Sequence, residues 1–255
     1  MIQVQVAHRG LRFDFDHHKP VQRAMAKDLT NGGYEPATWQ AIQTILRPGD
    51  HAVDVGAHVG VLTCLMAACV GPTGRVDAFE PEPYNRVRLL RHTVLNNVPY
   101  VTIHPQAVSD RSELVTFYRC ADNDGGHAVW NPGMVEANTK SRSNPSALTV
   151  RTVRLDDVIH GAVRLIKTDT EGHDFAVLRG AEALMAQHHP AVIAEIHRFG
   201  LEQCGDSEDA LRDWMRTRGY RETLLLDHQP SRAITAKETV LDDVVFNILF
   251  EHVAA

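Results

Sequence analysis

No apolar run in this 255-residue chain approaches the ~20 residues that a transmembrane helix requires, so no membrane span is expected. The opening stretch, MIQVQVAHRGLRFDFDHH, lacks a signal-peptide core, and the expected location is the cytoplasm. Cys64, Cys69, Cys120 and Cys204 form no CxxC pair, which argues against a disulfide framework or a structural zinc site. Long basic tracts are missing too. With a net charge of −6, nucleic acid is not an expected partner. Repeats and low-complexity tails are absent. Aromatic residues make up only 6% of the chain, but hydrophobic residues reach 44%, enough for the core of one large α/β domain.

What is present is an alternation of short apolar runs with amphipathic stretches. Residues 2–6 and 11–15 alternate apolar and polar side chains around Arg9-Gly10, which predicts an N-terminal β-hairpin. Trp39, Ile42, Ile45 and Leu46 share one helix face, ended by Pro48-Gly49-Asp50. Strands are then expected at 51–55, 75–80, 101–104, 163–168 and 191–196. Helices are expected at 61–70, from Tyr84 to Asn96-Asn97, and from about 173 to 188. Ser207 caps a further helix, with Glu208 and Asp209 in its first turn and Arg216 and Arg218 in its last. Strands 221–227 and 244–251 close the chain as a hairpin. The rhythm breaks over about 112–155, where 114–119 and 148–155 read as strands around a loop, 122–144, rich in Gly, Asn, Pro and Ser.

The expected fold class is therefore α/β and Rossmann-like: a mostly parallel seven-stranded sheet with a terminal antiparallel hairpin. Residues 1–33, the N-terminal β-hairpin and linker, precede a domain over 34–255. Ligands of such sheets sit beyond the carboxyl ends of the strands, so the loops after 55, 80, 106, 168 and 196 should form one wall.

The first of those loops is DVGAHVG, residues 54–60. A dinucleotide pyrophosphate needs GxGxxG, whose glycines bring backbone N–H groups against phosphate. Here the pattern is D-x-G-x-x-x-G, and Asp54 sets an anion where phosphates would lie. S-adenosylmethionine, which has a sulfonium, an α-amino group, a ribose and no phosphate, suits such a turn. Glu80, followed by Pro81, ends the next strand and is placed to accept both ribose hydroxyls. NAD enzymes use the same device, so Glu80 supports an adenosine ligand without choosing the cofactor.

The blocks DVGAHVG, GPTGRVDAFEPEPYNRVRLLRHTVLNN, AVSD (107–110), RLDDV (154–158) and IKTDTEGHDFAVLRGA (166–181) lie in order over about 34–200. Together they resemble the FkbM family of S-adenosylmethionine-dependent methyltransferases. The resemblance implies a class I methyltransferase fold with Asp54, Gly56 and Gly60 around the methionine part, and Glu80 and Pro81 beside the ribose. It implies Ala107, Val108 and Ser109 at the adenine, and Tyr34 and Glu35 closing over the cofactor. It also implies methylation of hydroxyl groups, so the partner would be a small-molecule, glycan or natural-product acceptor of secondary metabolism. His58, placed with the cofactor residues, stands where the family more often has asparagine.

Methyl transfer is an in-line displacement, so the protein must align the acceptor and, for an alcohol, take its proton. Asp169 lies just beyond the fourth strand and borders the cofactor as well. Glu171 and Asp174 favour the N-terminus of the next helix, Gly172 permits an unusual backbone, and His173 titrates near neutrality. Asp169, Glu171 and His173 are the candidate catalytic residues. Glu195 and His197 end the fifth strand, and with His127 and Trp130 of the long loop they are the candidate acceptor contacts. The spacing of Asp169, Glu195 and His197 follows no metal template, and no metal is expected. The alternatives are N-methylation of a small metabolite, an NAD-dependent oxidoreductase, and a non-catalytic cofactor-binding module. The terminal strands are candidate pairing edges for a homodimer.

Overall fold

The computed structural model describes the chain except residues 7–9, 121–122, 135–144, 236–237, 239, 241–244 and 254–255. β1 (Ile2–Gln5) and β2 (Arg12–Phe15) form the antiparallel hairpin that the alternation predicts. α1 (Pro20–Thr30) follows, where the sequence reading expects only a linker. Its signals are Pro20 at the first helical position and Gln22, Met25, Ala26 and Leu29 buried at helical spacing. α2 (Pro36–Ile45), β3 (His51–Val55), α3 (Val61–Val70), β4 (Arg75–Phe79), α4 (Pro83–Leu95) and β5 (Val101–His104) then alternate as expected.

The break in rhythm contains β6 (Ala107–Val108), β7 (Leu114–Arg119) and β8 (Ser146–Val153), which pair into a small separate sheet. Residues 122 and 135–144 of the expected long loop lie outside the described residues. After α5 (Leu155–Val158) come β9 (Leu165–Thr168), α6 (Asp174–Arg179), α7 (Glu182–His188), β10 (Ala191–His197), α8 (Arg198–Gln203) and α9 (Glu208–Thr217). β11 (Tyr220–Leu225), β12 (Arg232–Ile234) and β13 (Val245–His252) complete the chain.

The main sheet runs β12-β11-β13-β10-β9-β3-β4-β5. From β10 to β5 neighbouring strands are parallel, while β13, β11 and β12 pair antiparallel. The sheet thus has eight strands rather than seven. The extra one, β12, is three residues long and turns back along the outer edge of β11, too short to show a period in sequence. The single helix expected over about 173–188 is two, α6 and α7, separated at Gly180-Ala181. A Cβ on Gly180 would stand 2.1 Å from the Ser109 carbonyl oxygen, so the break lets the end of β6 approach the chain.

Two cores flank the sheet. One contains Phe13, Phe15, Ile42, Leu65 and Met66, so the N-terminal hairpin packs into the same core as α3. This explains why α3 is apolar nearly all round: it is covered on every side. The other core contains Leu155, Leu178, Met215 and Phe250. The order in which the chain adds strands reverses between β3 and β9, although the two are parallel, and loops leading away to both sides leave a crevice there.

Candidate active site

The register builds the site. Val55, Phe79, Thr168 and Ala194 stand level on β3, β4, β9 and β10. One residue further along, the order across the strands is Glu80, Gly56, Asp169, Glu195, with Asn247 of β13 paired to Glu195. Strands lie ~4.8 Å apart, so Glu80 and Glu195 mark the ends of a row about 14 Å long. Only a glycine fits between the acids: Gly56 has φ +77°, and a Cβ there would lie 1.8 Å from the Asp169 carbonyl oxygen.

A cavity of about 260 Å³ opens above this row. Asp54, Gly56, His58, Glu80, Pro81, Ala107 and Val108 line it, and so do Tyr34, Glu35, Asp169, Glu171 and His173. His127 and Glu195, expected at the acceptor, line it too. Gly60, Ser109, Trp130 and His197 do not. A Cβ on Gly60 would meet Leu89 Cδ1 at 2.2 Å, so that glycine serves close packing of the turn on α4. The Ser109 hydroxyl lies 3.0 Å from His173 Nε2. Trp130 Nε1 donates to the Glu171 carbonyl oxygen at 2.8 Å, which pins the long loop to the 169–173 turn. His197 Nδ1 accepts from Gly200 N at 2.7 Å, capping α8, and its Nε2 stands 3.8 Å from Glu171 Oε2.

Each acid is held differently. Asp54 is wholly buried, accepts from Thr63 Oγ1 at 2.5 Å and lies 3.7 Å from Lys167 Nζ. Lys167 sits directly across the strands from Asp54 and also reaches Asp169 Oδ2 at 3.1 Å. The charge of Asp54 is therefore shared with Lys167 rather than left wholly for a ligand. Glu80 Oε2 accepts from His58 N and its Oε1 from Glu82 N, both at 2.8 Å, while burial pushes its carboxyl up to about 7. Asp174 accepts from Thr168 Oγ1, Thr170 N and Gly172 N. It shapes the turn that carries Asp169 and Glu171. Burial lowers His173 and His127 to about 4, so both imidazoles are neutral near pH 7.

Three wall residues, Glu35, His58 and Glu171, adopt φ of 44°, 51° and 57°. Such left-handed non-glycine residues gather at functional sites. This also accounts for His58. The position needs a left-handed backbone, which asparagine and histidine tolerate better than most residues.

Several lining residues escaped the sequence reading. Val21 and Met25 come from α1, Asn85 from α4 and Phe117 from β7. Lys167 was the legible one: a lysine inside the buried strand Ile166-Lys167-Thr168 needs acidic partners. Asp124 was visible in the loop but not its task. It accepts from Val21 N at 3.0 Å and from Gln22 Nε2 at 3.1 Å, so an acid from the insertion caps α1. Among the described residues the only three potential metal-ligand groups within 4.8 Å of one another are Asp16, His17 and His18, at the surface away from this cavity.

A Rossmann-like sheet with a glycine turn, a ribose-type acid and a mainly acidic cavity defines an adenosine-cofactor enzyme of the methyltransferase class. The methyltransferase FkbM domain matches residues 54–222, and the chain belongs to that family of S-adenosylmethionine-dependent enzymes. It is 32% identical over 181 residues to the 31-O-demethyl-FK506 methyltransferase FkbM of Streptomyces tacrolimicus, covering 60% of this chain and 67% of that protein. Its fold is similar to a methyltransferase FkbM from Methylobacillus flagellatus (TM-score 0.51, 17% identity, 94% of this chain). This chain spans only 56% of that crystallised one. It is also similar to a putative methyltransferase from Streptococcus mutans in complex with SAH (TM-score 0.50, 9% identity, 86% of this chain and 97% of that one).

The cavity fits the cofactor on its own chemistry. Among the described residues Asp54 Oδ1 is buried without a hydrogen bond, 3.7 Å from Lys167 Nζ. Six carboxyls, from Glu35, Asp54, Glu80, Asp169, Glu171 and Glu195, face one lysine, Lys167, a balance suited to a cationic ligand without phosphate. No helix among the described residues is long and apolar enough to cross a membrane.

Proposed function

We propose that this chain transfers a methyl group to a hydroxyl oxygen of an uncharged small molecule, of the polyol or natural-product kind. The observation that carries this reading is the acid row with Lys167 as its compensating cation: it favours the sulfonium and ammonium of the cofactor and repels a carboxylated or phosphorylated acceptor. The relative that acts on 31-O-demethyl-FK506 supports oxygen as the nucleophile.

S-adenosylmethionine supplies an electrophilic methyl carbon when bound. The residues then divide the work. Glu80 would hold the ribose, its oxygens oriented by the His58 and Glu82 N–H groups. Gly56 and Ala57, whose N–H groups are tied to the Phe79 carbonyl, leave room for the methionine part beside Asp54. Pro81 would stand with Glu80 beside the ribose, and Ala107 and Val108, which also line the cavity, would flank the adenine. Tyr34 and Glu35 close the cavity near Asp169, which with Glu171 faces the acceptor. A cavity of about 260 Å³ is near the small end of the ~300–1,000 Å³ range of ligand sites. The acceptor therefore presents its hydroxyl at the mouth, between the 169–173 turn and the loop carrying His127.

The test follows S-adenosylhomocysteine release across a panel of neutral polyols and macrolides, their phosphorylated or carboxylated counterparts, and amines. Turnover confined to neutral hydroxyl compounds is expected. Preference for amines or anions overturns the acceptor class, and tight binding of NAD in place of S-adenosylhomocysteine overturns the cofactor.

A further inference from the structure

Among the described residues, Glu195 is a wall carboxyl whose Oε2 has no hydrogen-bond partner. Glu80 is orientated by two backbone N–H groups and Asp169 is held by Lys167. The Glu171 turn is pinned by Trp130 and shaped by Asp174. Glu195 lines the cavity, and its Oε2 is enclosed without a hydrogen-bond donor. Its place in the row is at the far end from the ribose-binding acid, two strands past Gly56. A cofactor lying from Glu80 across Gly56 points its reactive end along the row toward Asp169 and Glu195.

We propose that Glu195 is the group that takes the proton of the acceptor hydroxyl, and that the positive charge of the bound sulfonium is what turns it into a carboxylate. This rests on the reading of the cavity as a site for S-adenosylmethionine and a hydroxyl acceptor.

The surroundings explain both halves. From β9 and the turn after it, Lys167, Asp169, Glu171 and Asp174 act on Glu195; Tyr34 and Glu35 approach from before α2. Asn247 pairs with it from β13 and gives its own amide to Thr38 at 3.4 Å, while His197 follows on the same strand. Lys167 is already engaged by Asp54 and Asp169. Burial, reinforced by Asp169, Glu171 and Asp174, holds the Glu195 carboxyl well above the usual range and so favours its protonated form in the free protein. A fixed positive charge arriving beside it favours the ionised form, and the proton leaves to water. As the acceptor oxygen bonds to the methyl carbon, the carbon–sulfur bond breaks and its electron pair stays on sulfur. The hydroxyl proton passes to the Glu195 carboxylate and is lost to water afterwards. His173, one of the three candidate catalytic residues, is a weaker acceptor: its imidazole sits at about 4 and its Nε2 lies on Ser109.

The experiment needs no acceptor. Titration calorimetry in buffers of different ionisation enthalpy, near pH 7, counts protons released on binding S-adenosylmethionine, S-adenosylhomocysteine and sinefungin, which carries an ammonium at the methyl position. The two cationic ligands are expected to release up to about one proton more than S-adenosylhomocysteine. Glu195→Gln should erase that excess while binding S-adenosylhomocysteine with affinity within about twofold of the parent. In the unsubstituted protein, the Glu195 side-chain carbonyl ¹³C resonance should titrate at lower pH with sinefungin than with S-adenosylhomocysteine. An excess that survives Glu195→Gln, or a Glu195 titration that ignores the ligand's charge, overturns the proposal. Failure of all three ligands to bind instead removes the cofactor reading, and the proposal falls with it. Where an acceptor is in hand, Glu195→Gln should lower kcat by about 10²–10⁴-fold with the cofactor Kd unchanged.

Discussion

The two ends of the acid row solve opposite problems. At the β4 end, both oxygens of Glu80 receive backbone N–H groups, so the carboxyl is oriented before any ligand arrives. At the β10 end, Glu195 has neighbours of its own sign and an oxygen with no donor. The binding half is built by backbone turns, which hold geometry at little side-chain cost. The half proposed to react keeps a carboxyl oxygen without a donor, and that is the state from which added charge or a substrate proton would produce the largest response. Lys167 joins the halves, with one contact to Asp54 behind Gly56 and one to Asp169 beside it.

The sharpest way to break this comparison is Lys167→Met, which removes the shared cation and leaves Asp54 buried without its counter-charge. Destabilisation of about 3–5 kcal/mol is expected. Urea unfolding measures it, and a loss under 1 kcal/mol would show that the halves are held together by something else.

Next in size is Glu80→Gln, which tests the binding end. S-adenosylhomocysteine should bind about 10–100-fold more weakly by calorimetry, the loss of a charged hydrogen-bond acceptor. The same variant has a pH signature. The Glu80 carboxyl rises from 4.5 to about 7 on folding. Between those values the folded protein keeps a proton that the unfolded chain gives up. Its contribution is complete below 4.5 and is lost as pH rises toward 7, at about 1.4 kcal/mol per unit. The stability difference between parent and Glu80→Gln should shrink over that window, and a flat difference contradicts the assignment.

Trp130→Phe sharpens the acceptor side. It keeps a ring and deletes the N–H that holds the Glu171 turn. About 1 kcal/mol of stability should go, and KM for the acceptor should rise more than the Kd for S-adenosylhomocysteine. Equal changes would place the loop on the cofactor instead. The smallest effect is expected of His58→Asn. Asparagine accepts the left-handed backbone and keeps the N–H bonded to Glu80, so stability and cofactor affinity should move by no more than about 0.5 kcal/mol. A large loss would assign the imidazole a direct part, through Asp124, 3.7 Å away.

Legibility followed the range of the forces involved. The parallel strands and the helices between them were readable because each repeats an apolar period within a few residues. β12 was not, because three residues on an outer edge carry no period, and neither was the break at Gly180, whose cause is Ser109 about seventy residues away. DVGAHVG, Glu80 and the block from Lys167 to Asp174 were visible as chemistry. The separation of duties among them was not: Trp130, Ser109 and His197 sit outside the cavity and act on residues that line it. α1 was the larger omission, since its helical spacing was in plain sight and it supplies Val21 and Met25 to the site.

What the amino-acid order determined by itself was local: the glycine turn after β3, the acids at the strand ends, and the family to which those blocks belong. Backbone sterics and side-chain periodicity act over a few residues, and they survive in a linear string. Only the tertiary structure decided which acid stands next to which. Strand register aligned Glu80, Gly56, Asp169 and Glu195 from segments up to 139 positions apart. Burial then gave chemically similar carboxyls different proton affinities, because desolvation and neighbouring charge depend on the assembled surroundings rather than on residue type.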